Sequence, residues 1–193
     1  MSSHHIVKED QEPALILADI TKVSQGVIQE LLEWSPTVVV LEKSLDEVLL
    51  WGIKIDVVIS PEDHVQRFIE LLADQTPIKI LSHKTTESPL DTAMHFLSAA
   101  KYPAVSVAGA DLAELKSFTD RFDLVVFSSG KRWSFARYGK FEKWLTKGSV
   151  ISLVKEAENK NISTHGLDKN RVVECDGIIT LKSDSPFWVG ELY

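Results

Sequence analysis

The stretch Gly52-Ile53-Lys54-Ile55-Asp56-Val57-Val58-Ile59-Ser60-Pro61-Glu62-Asp63-His64 decides how this chain is read. Gly52 is the residue type that ends a helix in the left-handed conformation, which a side chain would oppose sterically. Asp56 to Ile59 holds a short β-branched apolar run, the pattern of a strand buried on both faces. Pro61 lacks a backbone N–H and suits the opening of the next segment. Glu62 and Asp63 therefore stand just past the carboxyl end of a buried strand. In open α/β sheets ligands bind at that edge, where loops and helix N-termini converge.

Working outward, Ala14 to Ala18 reads as a buried strand, and Ser24 as the cap of a helix carrying Val27, Ile28, Leu31 and Leu32 at helical spacing. Thr37 to Leu41 is a β-branched strand, and Ser44-Leu45-Asp46-Glu47 has capping-box spacing for a helix running to Trp51. Beyond the opening stretch come a helix over Val65 to Ala73 and a strand over Ile78 to Leu81. A further helix starts at Ser88-Pro89-Leu90-Asp91, with Ser as cap and Pro in the first turn, and its apolar face is Leu90, Ala93, Met94 and Leu97. Ala104 to Ala108 is a strand closed by Gly109, and a short helix follows near Leu112 to Phe118. This alternation predicts an α/β domain over residues 1–120, a mostly parallel sheet with helices on both faces. Past Arg121, turn signals separate Leu124 to Phe127, Arg132 to Tyr138, Phe141 to Thr146, Val150 to Val154, Ile178 to Leu181 and Phe187 to Leu192. Short strands at such spacing predict a small antiparallel β-sandwich domain over residues 121–193, with no sheet running through both halves.

Bulk properties narrow the function classes. A net charge of −7 over 193 residues disfavours nucleic acid as the main partner, because phosphate backbones need a basic face. No apolar run approaches membrane-spanning length. Cys175 is the single cysteine, which excludes an internal disulfide and suits a reducing, cytoplasmic setting. The polar start, with His4 and His5, reads as a frayed arm rather than a signal peptide or a metal site.

The opening stretch resembles the centre of the thiamin pyrophosphokinase family, where the same Gly-Ile-Lys-x-Asp-Val-Val-Ile run leads into Gly-Asp-Phe-Asp. Similar to the bacterial members are also Gln11-Glu12-Pro13-Ala14-Leu15-Ile16, Leu31-Leu32-Glu33-Trp34-Ser35-Pro36-Thr37-Val38-Val39, Phe141-Glu142-Lys143-Trp144, Gly148-Ser149-Val150-Ile151-Ser152-Leu153, Ile162-Ser163-Thr164-His165-Gly166-Leu167 and Asp176-Gly177-Ile178-Ile179-Thr180. The resemblance implies an α/β half followed by a β-sandwich. It also implies ATP-dependent pyrophosphoryl transfer to the hydroxyl of thiamin with release of AMP, Mg²⁺ on the nucleotide, and a homodimer with sites between subunits. Carried over position by position, it makes Asp63 and Asp91 the residual catalytic positions, with Asp63 also the metal position. Ser60, Glu62, Gly109, Ser163 and Thr164 become the cofactor-binding positions.

Each site element departs from the family pattern. Ser60-Pro61-Glu62-Asp63 stands for Gly-Asp-Phe-Asp, and Ser88-Pro89-Leu90-Asp91 for Thr-Asp-x-Glu. Lys43 puts a long side chain where a glycine admits the ligand, the Arg-bearing signature after Gly109 is missing, and Lys169-Asn170-Arg171 replaces Ser-Ser-Asn. One carboxylate seldom holds Mg²⁺ alone, and Asp91 is accounted for by helix capping. His64, His83 and Glu87, lying near Asp63 in the pattern, offer an alternative transition-metal or acid–base cluster. Two readings result: a thiamin pyrophosphokinase-like protein inactive or very weak in the family reaction, or a non-catalytic nucleotide- or partner-binding homodimer or diverged nucleotide-dependent enzyme. On either reading the ligand is a nucleotide or a thiamin-like small molecule, with the further alternative that neither Mg²⁺ nor ATP is used. Trp133 and Trp188, on alternating strands, are candidates for the dimer face, whereas packing in the core or between domains suffices for Trp34, Trp51 and Trp144.

Overall fold

The computed structural model describes residues 13–155 and 161–193; the arm with His4 and His5 lies outside the described residues. Five parallel strands come first: β1 (Ala14–Leu17), β2 (Val38–Leu41), β3 (Val57–Pro61), β4 (Lys79–His83) and β5 (Ala104–Ala108). Between them run the helices α1 (Gln25–Leu32), α2 (Glu42–Leu50), α3 (Val65–Leu71) and α4 (Pro89–Ala99). Side chains alternate across each strand, so the sheet feeds two cores. Ala14, Ile16, Val39 and Leu41 pack with Leu90, Met94 and Leu97 of α4. Leu15, Leu17, Val38 and Val40 pack with Ile28, Leu45, Val48 and Phe68 of α1, α2 and α3.

The strands after residue 121 are β6 (Asp123–Ser128), β7 (Lys131–Ala136), β8 (Lys140–Leu145), β9 (Ile151–Lys155), β10 (Ser163–His165), β11 (Gly177–Lys182) and β12 (Phe187–Leu192). Four of them extend the first sheet, whose order is β4-β3-β2-β1-β5-β6-β7-β12-β9; the other three form a small antiparallel sheet, β10-β11-β8. The fold class is the expected one, a mostly parallel sheet covered by helices plus an antiparallel sandwich. The expectation that no sheet runs through both halves is overturned. Pairing changes from parallel to antiparallel at β6, which is parallel to β5 and antiparallel to β7, but hydrogen bonding continues across it. The physical reason is that β6 still offers a free edge, which the hairpin strand β7 satisfies.

The sandwich is therefore the antiparallel end of the large sheet packed on the small one. Ile151, Phe187 and Val189 meet Ile179 and Leu181 in its core. Lys143 of β8 donates to Glu191 of β12 at 2.7 Å, tying the two sheets together. Trp188 is 1% exposed and belongs to the α4-side core, with its ring 4.8 Å from Phe135. Trp133 is half-buried on the same core and faces Gly190 across the ladder, where a Cβ would come within 2.6 Å of the indole. The chain's own packing thus takes up Trp188, which is no dimer face. Conversely, Trp34 and Trp144 are exposed rather than packed, and Trp51 is half-buried against the α1–α3 core.

Local signals resolve unevenly. Ser88 caps α4, its hydroxyl accepting the Asp91 N–H at 3.3 Å, and Gly52 takes φ +67° after α2. Ser44 is no cap: α2 starts at Glu42, and Ser44 is buried inside it. The capping box sits instead at Asp111 and Glu114, opening the 3₁₀ segment Leu112–Phe118.

Candidate functional site

The sheet order puts β1 between β2 and β5. The chain runs outward from β1 through β2, β3 and β4, then returns to the other side of β1 to lay down β5 and β6. Such a reversal leaves a crevice at the carboxyl ends of the two central strands, because their following segments depart to opposite sides. A cleft of about 680 Å³ opens there, lined by residues that follow β1, β2, β3, β4 and β5.

Asp19 and Gly109 form its floor. The Ala108 carbonyl accepts the N–H groups of Ala18 and Asp19 at 2.9 and 3.2 Å, and Gly109 N–H donates to Phe127 at 2.8 Å. Gly109 has φ +87°, and a Cβ on it would fall 1.9 Å from the Asp19 carbonyl oxygen. Only glycine lets the two turns lie this close.

Asp19 is buried and both of its carboxylate oxygens accept hydrogen bonds. Oδ1 accepts the Thr21 hydroxyl at 2.5 Å and the Thr21 N–H at 3.3 Å; Oδ2 accepts from Lys43 Nζ at 2.5 Å. Burial alone would raise its pKa. The hydrogen bonds from Lys43 and Thr21, with the lysine charge, outweigh burial and hold the carboxyl below its ordinary value of 3.8. Lys43 reaches Asp19 because α2 begins directly at the end of β2, and Ser44 Oγ fixes that turn by accepting Ile20 N–H at 3.2 Å.

Most other acids of the cleft are also engaged. Glu42 Oε1 lies 2.6 Å from His64 Nδ1. Glu114 accepts the Asp111 N–H at 2.8 Å, and Lys22 stands 3.6 Å from Asp111. Arg67 lines the cleft with its guanidinium 5.6 Å from the Phe68 ring centroid, and among the described residues no acid pairs with it.

The residues expected from sequence distribute unevenly over this geometry. Gly109 lines the cleft, as does His83, whose Nδ1 is 2.9 Å from the Lys84 carbonyl. Ser60 is wholly buried in β3, with its hydroxyl on the Pro61 carbonyl at 3.1 Å. Glu62 and Asp63 are exposed on a 3₁₀ turn, and Asp91 sits in the first turn of α4; none of the three lines the cleft. Ser163 and Thr164 are exposed on β10, where Ser163 borders a separate shallow hollow with Lys140 and Lys182. His64, His83 and Glu87 do not gather: His64 turns to Glu42, His83 and Glu87 hold backbone groups of Lys84. Among the described residues no three His, Cys, Asp or Glu side chains group to hold a metal. Asp19, Lys43 and Arg67 are the site groups that sequence reasoning passed over as site groups. Asp19 showed in sequence as an acid at the end of a buried strand, but only the strand order makes that strand central. Lys43 read only as an obstruction, and nothing in the spacing around Arg67 singled it out.

This donor set does not fit Mg²⁺. The ion asks for a near-octahedral oxygen shell and takes a carboxylate only if its lone pairs are open. Here Asp19 already accepts three hydrogen bonds from Thr21 and Lys43, and one Glu42 oxygen is turned to His64. Among the described residues the remaining acids of the lining, Asp46 included, do not gather with them into a set of three.

No protein-family model matches the chain, and no curated protein matches it. Solved structures do. It is similar to thiamine pyrophosphokinase from Bacillus subtilis, with 9% identity and a TM-score of 0.70 over 93% of this chain and 98% of that one. It is similar to thiamin pyrophosphokinase from Candida albicans, with 7% identity and a TM-score of 0.74 over 97% and 91%. Yeast thiamin pyrophosphokinase gives 10% identity and a TM-score of 0.71 over 97% and 88%. At such identities the likeness establishes the fold: this chain has the thiamin pyrophosphokinase fold.

Proposed function

We propose that the cleft at the carboxyl ends of β1 to β5 binds a nucleotide or a related phosphate-bearing small molecule, and that the chain does not transfer pyrophosphate to thiamin at an enzyme's rate. The fold supports a ligand at this edge. One observation carries the second half: Asp19, the buried acid of the cleft, is already bonded to Lys43 and Thr21. Pyrophosphoryl transfer concentrates negative charge between two substrates, and loss of one electrostatic group of that kind costs on the order of 10²–10³ in rate. Pro61 and Pro89 line the cleft at two positions where the resemblance calls for acids.

The deciding experiment incubates purified protein with Mg-ATP and thiamin and measures thiamin diphosphate by fluorescence after oxidation to thiochrome diphosphate. The expected result is no product above background, together with a raised melting temperature on adding nucleotide. Turnover at ordinary kinase rates would overturn the proposal.

The proposed partner is a second copy of the chain. Trp144 and Ile178 pair directly across β8 and β11 on the outer face of the small sheet, 58% and 65% exposed. An adjacent pair of large apolar side chains on an uncovered sheet face favours a contact that removes both from water.

A further inference from the structure

We propose that Lys43 acts as a built-in cation where a divalent metal would otherwise be needed, so that the cleft takes its phosphate-bearing ligand free of magnesium. This rests on reading the cleft as a ligand site, and it adds the form in which the ligand enters.

The geometry is asymmetric. The Asp19 side chain is 9% exposed and that of Lys43 is 68% exposed. The pair is thus oriented, with the anion at the bottom and the cation toward the open cleft, so an entering ligand meets the ammonium first. An ammonium has three N–H donors. One goes to Asp19 Oδ2, and among the described residues no other acceptor takes the remaining two.

Asp19 is equally committed. Thr21 fills Oδ1 twice and Lys43 takes Oδ2, while Gly109 fixes the backbone behind. A magnesium ion at Asp19 would compete with the ammonium for Oδ2, one Glu42 oxygen is held by His64, and among the described residues no third ligand groups with them. The lysine meets no such obstacle.

Charge sets the limits of the arrangement. The lining holds five acids, Asp19, Glu42, Asp46, Asp111 and Glu114, against three fixed cations, Lys22, Lys43 and Arg67. Lys22 is shared with Asp111. Arg67 and the outward ammonium are what remain for phosphate. The acids already outnumber the cations, so removing Arg67 or Lys43 makes the cleft more repulsive to phosphate. Binding should therefore be modest, steeply salt-dependent, and weakened by loss of one lysine.

The test is calorimetric titration of the full chain with inorganic pyrophosphate and with ATP, each in EDTA and again in excess magnesium chloride. The expected result is binding in EDTA at least as tight as in magnesium, because magnesium neutralises the charge that Lys43 and Arg67 recognise. Lys43→Gln should weaken it by on the order of tenfold or more in EDTA, as for loss of a charge-assisted hydrogen bond, and Lys43→Arg should retain most of it. Binding that appears only with magnesium, or that is as tight in Lys43→Gln as in the parent, would overturn this inference and leave the cleft as a ligand site. Absence of heat with both probes in both conditions would overturn the reading of the cleft itself. The EDTA comparison uses the unaltered protein, so it stands whether or not a variant folds.

Discussion

The Cβ that Gly109 lacks would lie 1.9 Å from the carbonyl oxygen of Asp19, so the turns after the two central strands touch backbone to backbone. Gly109→Ala must both push these turns apart and occupy φ +87°. A strained conformation of this kind costs about 1–3 kcal/mol, and the steric displacement adds to it. Urea unfolding should show a loss of about 3 kcal/mol or more. A midpoint unchanged from the parent would mean that the two turns are not packed as described.

The Asp19 carboxyl, held below 3.8 by Lys43 and Thr21 against the opposing effect of burial, makes stability depend on acid. A depressed folded-state pKa contributes stability above the unfolded value, near 4, and loses it as the pH falls through the folded value. Melting temperature should therefore drop below about pH 4, and Asp19→Asn should flatten that part of the curve. Thermal scans from pH 2 to pH 7 would show it. Parallel curves for parent and variant would count against the ion pair.

Trp188 lies on β12 yet belongs to the same core cluster as the α4 face of the sheet, with its ring against Phe135. Trp188→Ala should cost about 3–5 kcal/mol, the range for truncating a buried aromatic. The loss should appear in one cooperative transition, followed alike by far-UV and near-UV circular dichroism. Two separated transitions would show that the halves unfold independently in spite of the shared sheet.

Trp144 and Ile178 supply the test of self-association. Light scattering at micromolar concentration should give twice the chain mass, and Trp144→Lys should return it toward one without lowering the melting temperature of the isolated chain. A parent protein that scatters as a monomer would remove the proposal.

Restoring single acids should not restore the family reaction. Pro61→Asp with Pro89→Asp adds two carboxylates at the cleft wall, but Lys43 still occupies Asp19 and the Arg-bearing segment after Gly109 stays absent. Groups acting as a unit are non-additive, so thiamin diphosphate formation should stay at background in the same thiochrome assay. Measurable turnover by this double variant would show that the lysine is displaced in use.

The parallel half was legible because Val57, Val58 and Ile59, like Val38 to Leu41, are continuous apolar runs, which only strands covered on both faces require. The continuity of the sheet past residue 121 was not read, since turn spacing is the same whichever sheet a strand joins. A signal was present in Phe187-Trp188-Val189, three consecutive buried residues that mark an interior strand rather than a half-exposed one. β10 escaped because its three residues are all exposed and carry no periodicity. In the site, resemblance pointed to Asp63 and Asp91, which lie on a 3₁₀ segment and in the first turn of α4, and neither lines the cleft. Asp19 stood at a strand end that topology, not sequence spacing, makes central.

The position of β12 between β7 and β9 has a consequence for how the protein is made. On the ribosome β7 and β9 both emerge before the strand that joins them. Until residues 187–192 leave the exit tunnel, each keeps an unpaired edge, and the core on that face lacks Trp188. Closure of this sheet therefore waits for the last-made of its strands. The nascent chain passes through an interval of open β-edges in which chaperone protection counts most.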